Sequence, residues 1–110
     1  MEYGGGEQHQ DERLRQATRD TIARNPQSAF AFVGGMYVGS VQFQEALRYA
    51  ARQDQRRTLG LLTRRMAYYE REQAKGSLNE SAAKNLQILN DAIRKVQDAA
   101  LEAINRQAGD

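Results

Sequence analysis

The stretch F-V-G-G-M-Y-V-G-S, residues 32–40, carries most of the residue types of a phosphate cradle. Gly34 and Gly39 are five apart, and Ser40 follows at once. A phosphate-binding loop also needs a strand leading in, backbone amides around the anion and a lysine just before the hydroxyl. Ser40 directly follows Gly39, and no lysine occurs before Lys75. Nucleotide binding is therefore not expected, and neither is a cofactor or a small-molecule substrate.

Other catalytic chemistry is as poorly supplied. His9 is the single histidine, in a Gly- and Gln-rich stretch with nothing near it in sequence to orient it, whereas a general base needs fixed geometry. Glu70 and Glu72 are two apart and diverge on a helix. No Glu-x-x-His pair occurs for a two-metal bundle site, and without cysteine there is no thiolate ligand or nucleophile. No catalytic and no metal residues are assigned, and the expectation is a chain that is not an enzyme.

The constellation with most chemistry in it is basic. Residues 46–75 hold eight Arg and Lys against three acids, while residues 1–25 and 76–110 each carry one more acid than base. Within this segment Arg57, Arg64 and Arg71 repeat at seven, and Lys75 follows one turn later. At about 100° per residue the four fall within about 40° of each other, opposite Leu59, Leu62, Met66 and Tyr69. The stripe is about 27 Å long at about 1.5 Å per residue. Asp54 stands at helical spacing from Arg57, and the stripe is otherwise read as unneutralised. It suits phosphate contacts along a nucleic acid, with Tyr68 as a residue that could stack on a base. It is equally what a bundle helix shows to water, and Tyr69 in the apolar row reads as core.

These residues need helices to position them. The chain has 110 residues, 40% of them hydrophobic and 27% charged, with one proline and no tryptophan. That is the size of one domain, and the composition favours helix over sandwich or barrel. Residues 1–10 are Gly- and Gln-rich and are expected to form a disordered, flexible tail ahead of a single helical domain, 11–110. A first helix is predicted from Asp11 to Arg24, ending before Pro26. Asn25 then reads as an N-cap and Pro26 as the first position of the next helix.

Residues 29–43 admit two readings. Gly34-Gly35 between β-formers resembles a hairpin turn. Phe30, Val33, Tyr37, Val41 and Leu47 follow helical spacing, with Phe43 and Ala50 close to that face. The Asn25-Pro26 start and the uninterrupted F-Q-E-A-L-R-Y-A-A-R-Q downstream favour one continuous helix. On it, Gly35 and Gly39 lie one turn apart and are expected to admit a neighbouring helix, as small-xxx-small pairs do. The polar run Gln53–Arg57 and a phase change in the apolar row favour a break or bend there over one long helix. Lys75-Gly76 predicts a helix end, and Ser77 with Glu80 a capping box that opens the last helix.

The last helix carries the seam Leu78, Ala82, Leu86, Leu89, Ile93, Val96, Ala100, Ala103, stepping by three and four from Leu86 onward as in a coiled coil. Ile88, Ala92 and Ala99 widen it, and Leu101 lies off it. The fold class expected is all-α, a small bundle of three to four helices. Because its own core is modest for its length, Leu86, Leu89, Ile93, Val96 and Ala100 are expected to serve helix packing or self-association, most simply as a homodimer. The leading function is a non-enzymatic helical binding protein that docks on itself and on another, unidentified protein. The alternative is a nucleic-acid-binding dimer using Arg57, Arg64, Arg71 and Lys75. Residues 25–44 are uncharged, but six of them are Asn, Gln or Ser and the apolar centre covers thirteen positions, short of the ~20 a membrane span needs. With no signal-like start and no cysteine, the expected location is cytoplasmic.

Overall fold

The computed structural model describes the backbone of residues 2–76 and 80–109 and the side chains of 9–76 and 80–107. It is all-helical: α1 (Glu2–Arg24), α2 (Ser28–Gly35), α3 (Val41–Gln53), α4 (Gln55–Ala74) and α5 (Glu80–Gly109), with no strand among the described residues. The all-α class holds, with one helix more than the three to four expected.

The extra helix comes from a break in residues 29–53. α2 ends at Gly35, and Met36 turns extended (φ −80°, ψ 155°). Two consecutive glycines, each about 1 kcal/mol poorer than alanine in a helix, leave little to hold the next turn. Ser40 then caps α3, its hydroxyl accepting from the Phe43 amide at 3.1 Å. Between them Val38 is fully buried and pins the loop, while Tyr37 is 57% exposed. Neither the hairpin nor the continuous helix is correct. Tyr37, assigned to the apolar row, leaves it because the helical phase is lost at Met36.

Two further starts differ from expectation. α1 begins at Glu2 and not at Asp11, so the flexible tail assigned to residues 1–10 is replaced by helix from residue 2 onward. Glu7, Gln8 and Gln10 extend the Asp11–Arg24 run with good helix formers, while helix through Gly4–Gly6 runs against the low helix propensity of glycine. α2 begins at Ser28: Asn25 and Pro26 form a turn, in which the Gln27 amide donates to Asn25 Oδ1 at 3.3 Å and the Ser28 amide to the Asn25 carbonyl at 2.9 Å.

The other boundaries lie where the sequence puts them. Asp54 separates α3 from α4, and its carboxylate accepts from the Arg57 amide at 3.0 Å. Gly76 ends the turn after α4 with φ +79°, the left-handed conformation glycine adopts at helix ends. The Ser77 capping box and Leu78 fall outside the described residues.

The core draws on every helix. Ile22 of α1, Phe30 and Val33 of α2, Phe43, Ala46 and Ala50 of α3, Leu62 of α4 and Leu89 and Val96 of α5 are buried together. α3 lies centrally, against α1, α2 and α4, while α5 packs chiefly on α4. One charged group enters this interior. Glu45 is 6% exposed and receives Arg19 Nη1 at 3.3 Å, the same guanidinium holding Glu12 at 3.0 Å and Gln16 at 2.8 Å. The Glu12 hydrogen bond above all raises the Arg19 pKa from its already basic ordinary value, so the cation facing Glu45 is permanent.

Candidate helix-docking groove

α4 and α5 run side by side as an antiparallel pair of unequal length. α4 has 20 residues and α5 has 30, about 30 and 45 Å at 1.5 Å per residue. The level at which α4 begins is marked by its first residue: Gln55 Nε2 donates to the Val96 carbonyl at 2.6 Å. Residues 97–109 of α5 therefore project about 20 Å beyond α4. Their apolar side chains lose the neighbour that covers the rest of the seam. Leu101 and Ile104 are 57% and 60% exposed, and Ala99 and Ala103 are exposed as well.

An open groove of about 850 Å³ lies between α3 and α5. Phe43, Leu47 and Ala51 form the α3 wall, and Ile88, Ala92, Val96, Ala99, Ala100 and Ala103 the α5 wall. Its rim is charged, with Arg48 and Arg52 on one side and Asp91 and Lys95 on the other. Grooves with apolar walls and a charged rim are the kind into which an amphipathic helix lays its apolar face, keeping its charges at the edges.

The residues expected to mediate packing or self-association are only partly found there. Leu89 and Val96 are buried in the chain's own core, and Leu86 and Ile93 are half-buried. The upper seam thus serves helix packing within the chain, one of the two roles expected of it. Ala100 does line the groove, beside the exposed Ala99 and Ala103.

Both glycine assignments change. A Cβ at Gly35 would meet nothing within 4 Å, and one at Gly39 would meet only the Tyr37 ring, 2.8 Å away. Neither admits a neighbouring helix, because the helix that would have aligned them is broken at Met36. The close approach belongs to Gly34, whose Cβ would lie 3.3 Å from Leu61 Cδ2 on α4.

The basic stripe also divides. Arg57 is tied down: its guanidinium lies 4.1 Å from the Phe30 ring centroid and donates to Gln27 Oε1 at 3.0 Å, joining α4 to α2. Lys75, read as unneutralised, holds Glu72 three residues before it at 3.2 Å. Arg64 and Arg71 are exposed with no ion pair within 4 Å among the described residues. Tyr68 is exposed and meets the half-buried Tyr69 edge-on at 5.2 Å. Arg65, given no role from the sequence, donates to the carbonyls of Val33 and Met36 at the end of α2, and its guanidinium lies 5.6 Å from the Phe43 ring. A cation at carbonyls left open by a helix end is favourable. Nothing in the local spacing marks Arg65 off from Arg64, since its partners lie 29 and 32 residues away.

Among the described residues, no three His, Cys, Asp or Glu side chains converge to hold a metal ion, and no helix is long and apolar enough to cross a membrane. Compared with protein-family models, curated proteins and solved structures, the chain matches none.

Proposed function

We propose that this chain is a non-enzymatic helix-docking protein of the regulator, adaptor or inhibitor type, which takes an amphipathic helix of a protein partner into the groove between α3 and α5. One observation carries this reading: a groove with apolar walls stands open between α3 and α5, from Ile88 to Ala103. Leaving such a surface wet forgoes about 25 cal/mol for each Å² of apolar area. A chain without cysteine suits a reducing compartment, and a cytoplasmic site of action is part of the proposal.

The test combines solution mass with the fluorescence of anilinonaphthalene sulfonate, a probe of open apolar surface. Either the groove is covered and the mass exceeds 12.4 kDa, or it is open and the dye brightens. Leu47→Glu on one wall and Ala99→Glu on the other should each abolish whichever signal appears, with the circular dichroism spectrum of Ala99→Glu, at an exposed position, unchanged. A monomer that leaves the dye dark, or a signal indifferent to both variants, refutes the reading.

A second reading rests on Arg64 and Arg71, which are exposed on the outer face of α4 without acid partners among the described residues. It makes the protein a nucleic-acid binder through phosphate contacts. With Arg57 and Lys75 engaged, two contacts per chain give a log–log salt slope of about −2 for B-form DNA, or about −4 for a dimer. Duplex DNA added during light scattering separates the readings, because only this one predicts a mass increase that Arg64→Glu with Arg71→Glu removes.

A further inference from the structure

The charges along the projecting part of α5 identify what fits the groove. Asp91, Lys95, Glu102 and Arg106 follow one another at steps of four, seven and four. On a helix they fall within about 60° of each other, and Ala92, Ala99 and Ala103 form the adjoining row. Asp98 lies on the same side of the helix, about 20° from Asp91 and turned away from the alanine row; the other four alternate minus, plus, minus, plus, so an identical helix laid antiparallel reads plus, minus, plus, minus against them. Lys95 then stands opposite Glu102 of the second copy, and Asp91 opposite Arg106 of the second copy. Both pairings share one centre, between Asp98 and Ala99. The small, exposed Ala99 and Ala103 of the two copies lie about this centre.

Nothing within the described part of the chain competes strongly for these charges. Asp91 and Lys95 have no ion pair within 4 Å among the described residues, and Glu102 meets Arg106 only at 3.9 Å with both side chains largely exposed. The far wall agrees in sign. Arg48 and Arg52 of α3 line the rim, and an incoming α5 carries the acids Asp98 and Glu102.

Resting on the docking reading above, we infer that the occupant of the groove is a second copy of this chain: the projecting part of its α5 lies antiparallel to the first across a twofold axis near Ala99. Each chain's projection fills the other's groove, so one self-complementary contact covers both apolar surfaces. The interface closes and cannot propagate into a fibre.

Charge exchange tests this, followed by sedimentation equilibrium at low ionic strength, where exposed ion pairs are least screened. The unmodified chain should dimerise. Lys95→Glu and Glu102→Lys should each weaken the dimer by about tenfold, since two attractions become two repulsions at the usual strength of exposed pairs. Mixing the two single variants should restore association, because the carboxylate introduced at position 95 of one chain then meets the ammonium introduced at position 102 of the other. The double variant should also recover. Positions 95 and 102 are two turns apart within a chain, so recovery on mixing comes only from contact between chains.

An unmodified chain that stays monomeric overturns the inference, and so does a dimer that ignores the single charge reversals or fails to recover on mixing. The groove-wall variants decide the docking reading separately. A monomer whose dye fluorescence is lost with Leu47→Glu keeps the groove as a site for a different protein and excludes the second copy. A dimer abolished by Ala99→Glu but indifferent to the charge exchanges keeps the groove and rejects this register.

Discussion

Three glycines in helices differ in what a methyl group would meet, and that difference sets the sign of its effect. Gly60 sits inside α4, and a Cβ there has nothing within 4 Å. Gly60→Ala should therefore gain the helical advantage of alanine, about 0.5–1 kcal/mol. In a chain of about 100 residues, 1 kcal/mol moves Tm by about 4–8 °C, so a rise of about 2–8 °C is expected. Gly35 is equally open but is the last residue of α2, where little helix follows to benefit, so Gly35→Ala should gain less. Gly34 touches α4, its Cβ 3.3 Å from Leu61 Cδ2. Leu61 is half-buried and can yield by a few tenths of an ångström, which consumes the helical gain. Gly34→Ala should thus fall within about 0.5 kcal/mol of neutral, and Gly34→Leu should cost about 1–3 kcal/mol by forcing α2 from α4. Urea unfolding with an unchanged m-value measures all four. If Gly34→Leu keeps full stability, or Gly60→Ala loses it, the packing of α2 on α4 is not as described.

Three other outcomes follow from single contacts. Arg57→Ala should lower stability by about 0.5–1 kcal/mol through loss of the Phe30 stacking, whereas Arg64→Ala, exposed and outside any ion pair among the described residues, should stay within about 0.5 kcal/mol of the parent in the same urea assay. Ile93→Asp places a carboxylate against the core cluster and should cost several kcal/mol or unfold the chain, while Leu101→Asp, 57% exposed, should barely shift Tm. Gly76→Ala forces a side chain into a left-handed conformation (φ +79°) and should cost about 1–2 kcal/mol. Thermal unfolding followed by circular dichroism reads both effects.

Local chemistry is legible in the sequence. The stop at Gly76 and the break at Asp54 can be read there because a left-handed glycine and a polar run with a capping carboxylate act within a few residues. The Leu89–Val96 seam is readable because a buried helix face repeats in sequence. The break at Met36–Ser40 is hidden because apolar spacing runs on through it, with Val38 buried from a loop instead of a helix. Ser40 after Gly39 is the one local sign of a helix start there, and the same two residues also fit part of a phosphate loop. The groove has no local mark at all. It lies between α3 and α5, which are far apart in the chain, and so depends on how whole helices are arranged. The same holds for Arg65 and for Arg19 with Glu45, whose partners lie 26 or more residues away.

Sedimentation equilibrium over a concentration series, run side by side on the unmodified chain and on Ala99→Glu, tests most directly whether a second copy of this chain occupies the groove. Ala99 is exposed in the single chain, so its replacement leaves the fold alone and alters only what the groove can hold. The unmodified chain should move from 12.4 kDa toward twice that mass as concentration rises, while Ala99→Glu stays at the mass of one chain throughout. Identical curves for the two proteins, whether both monomeric or both associated, would contradict it.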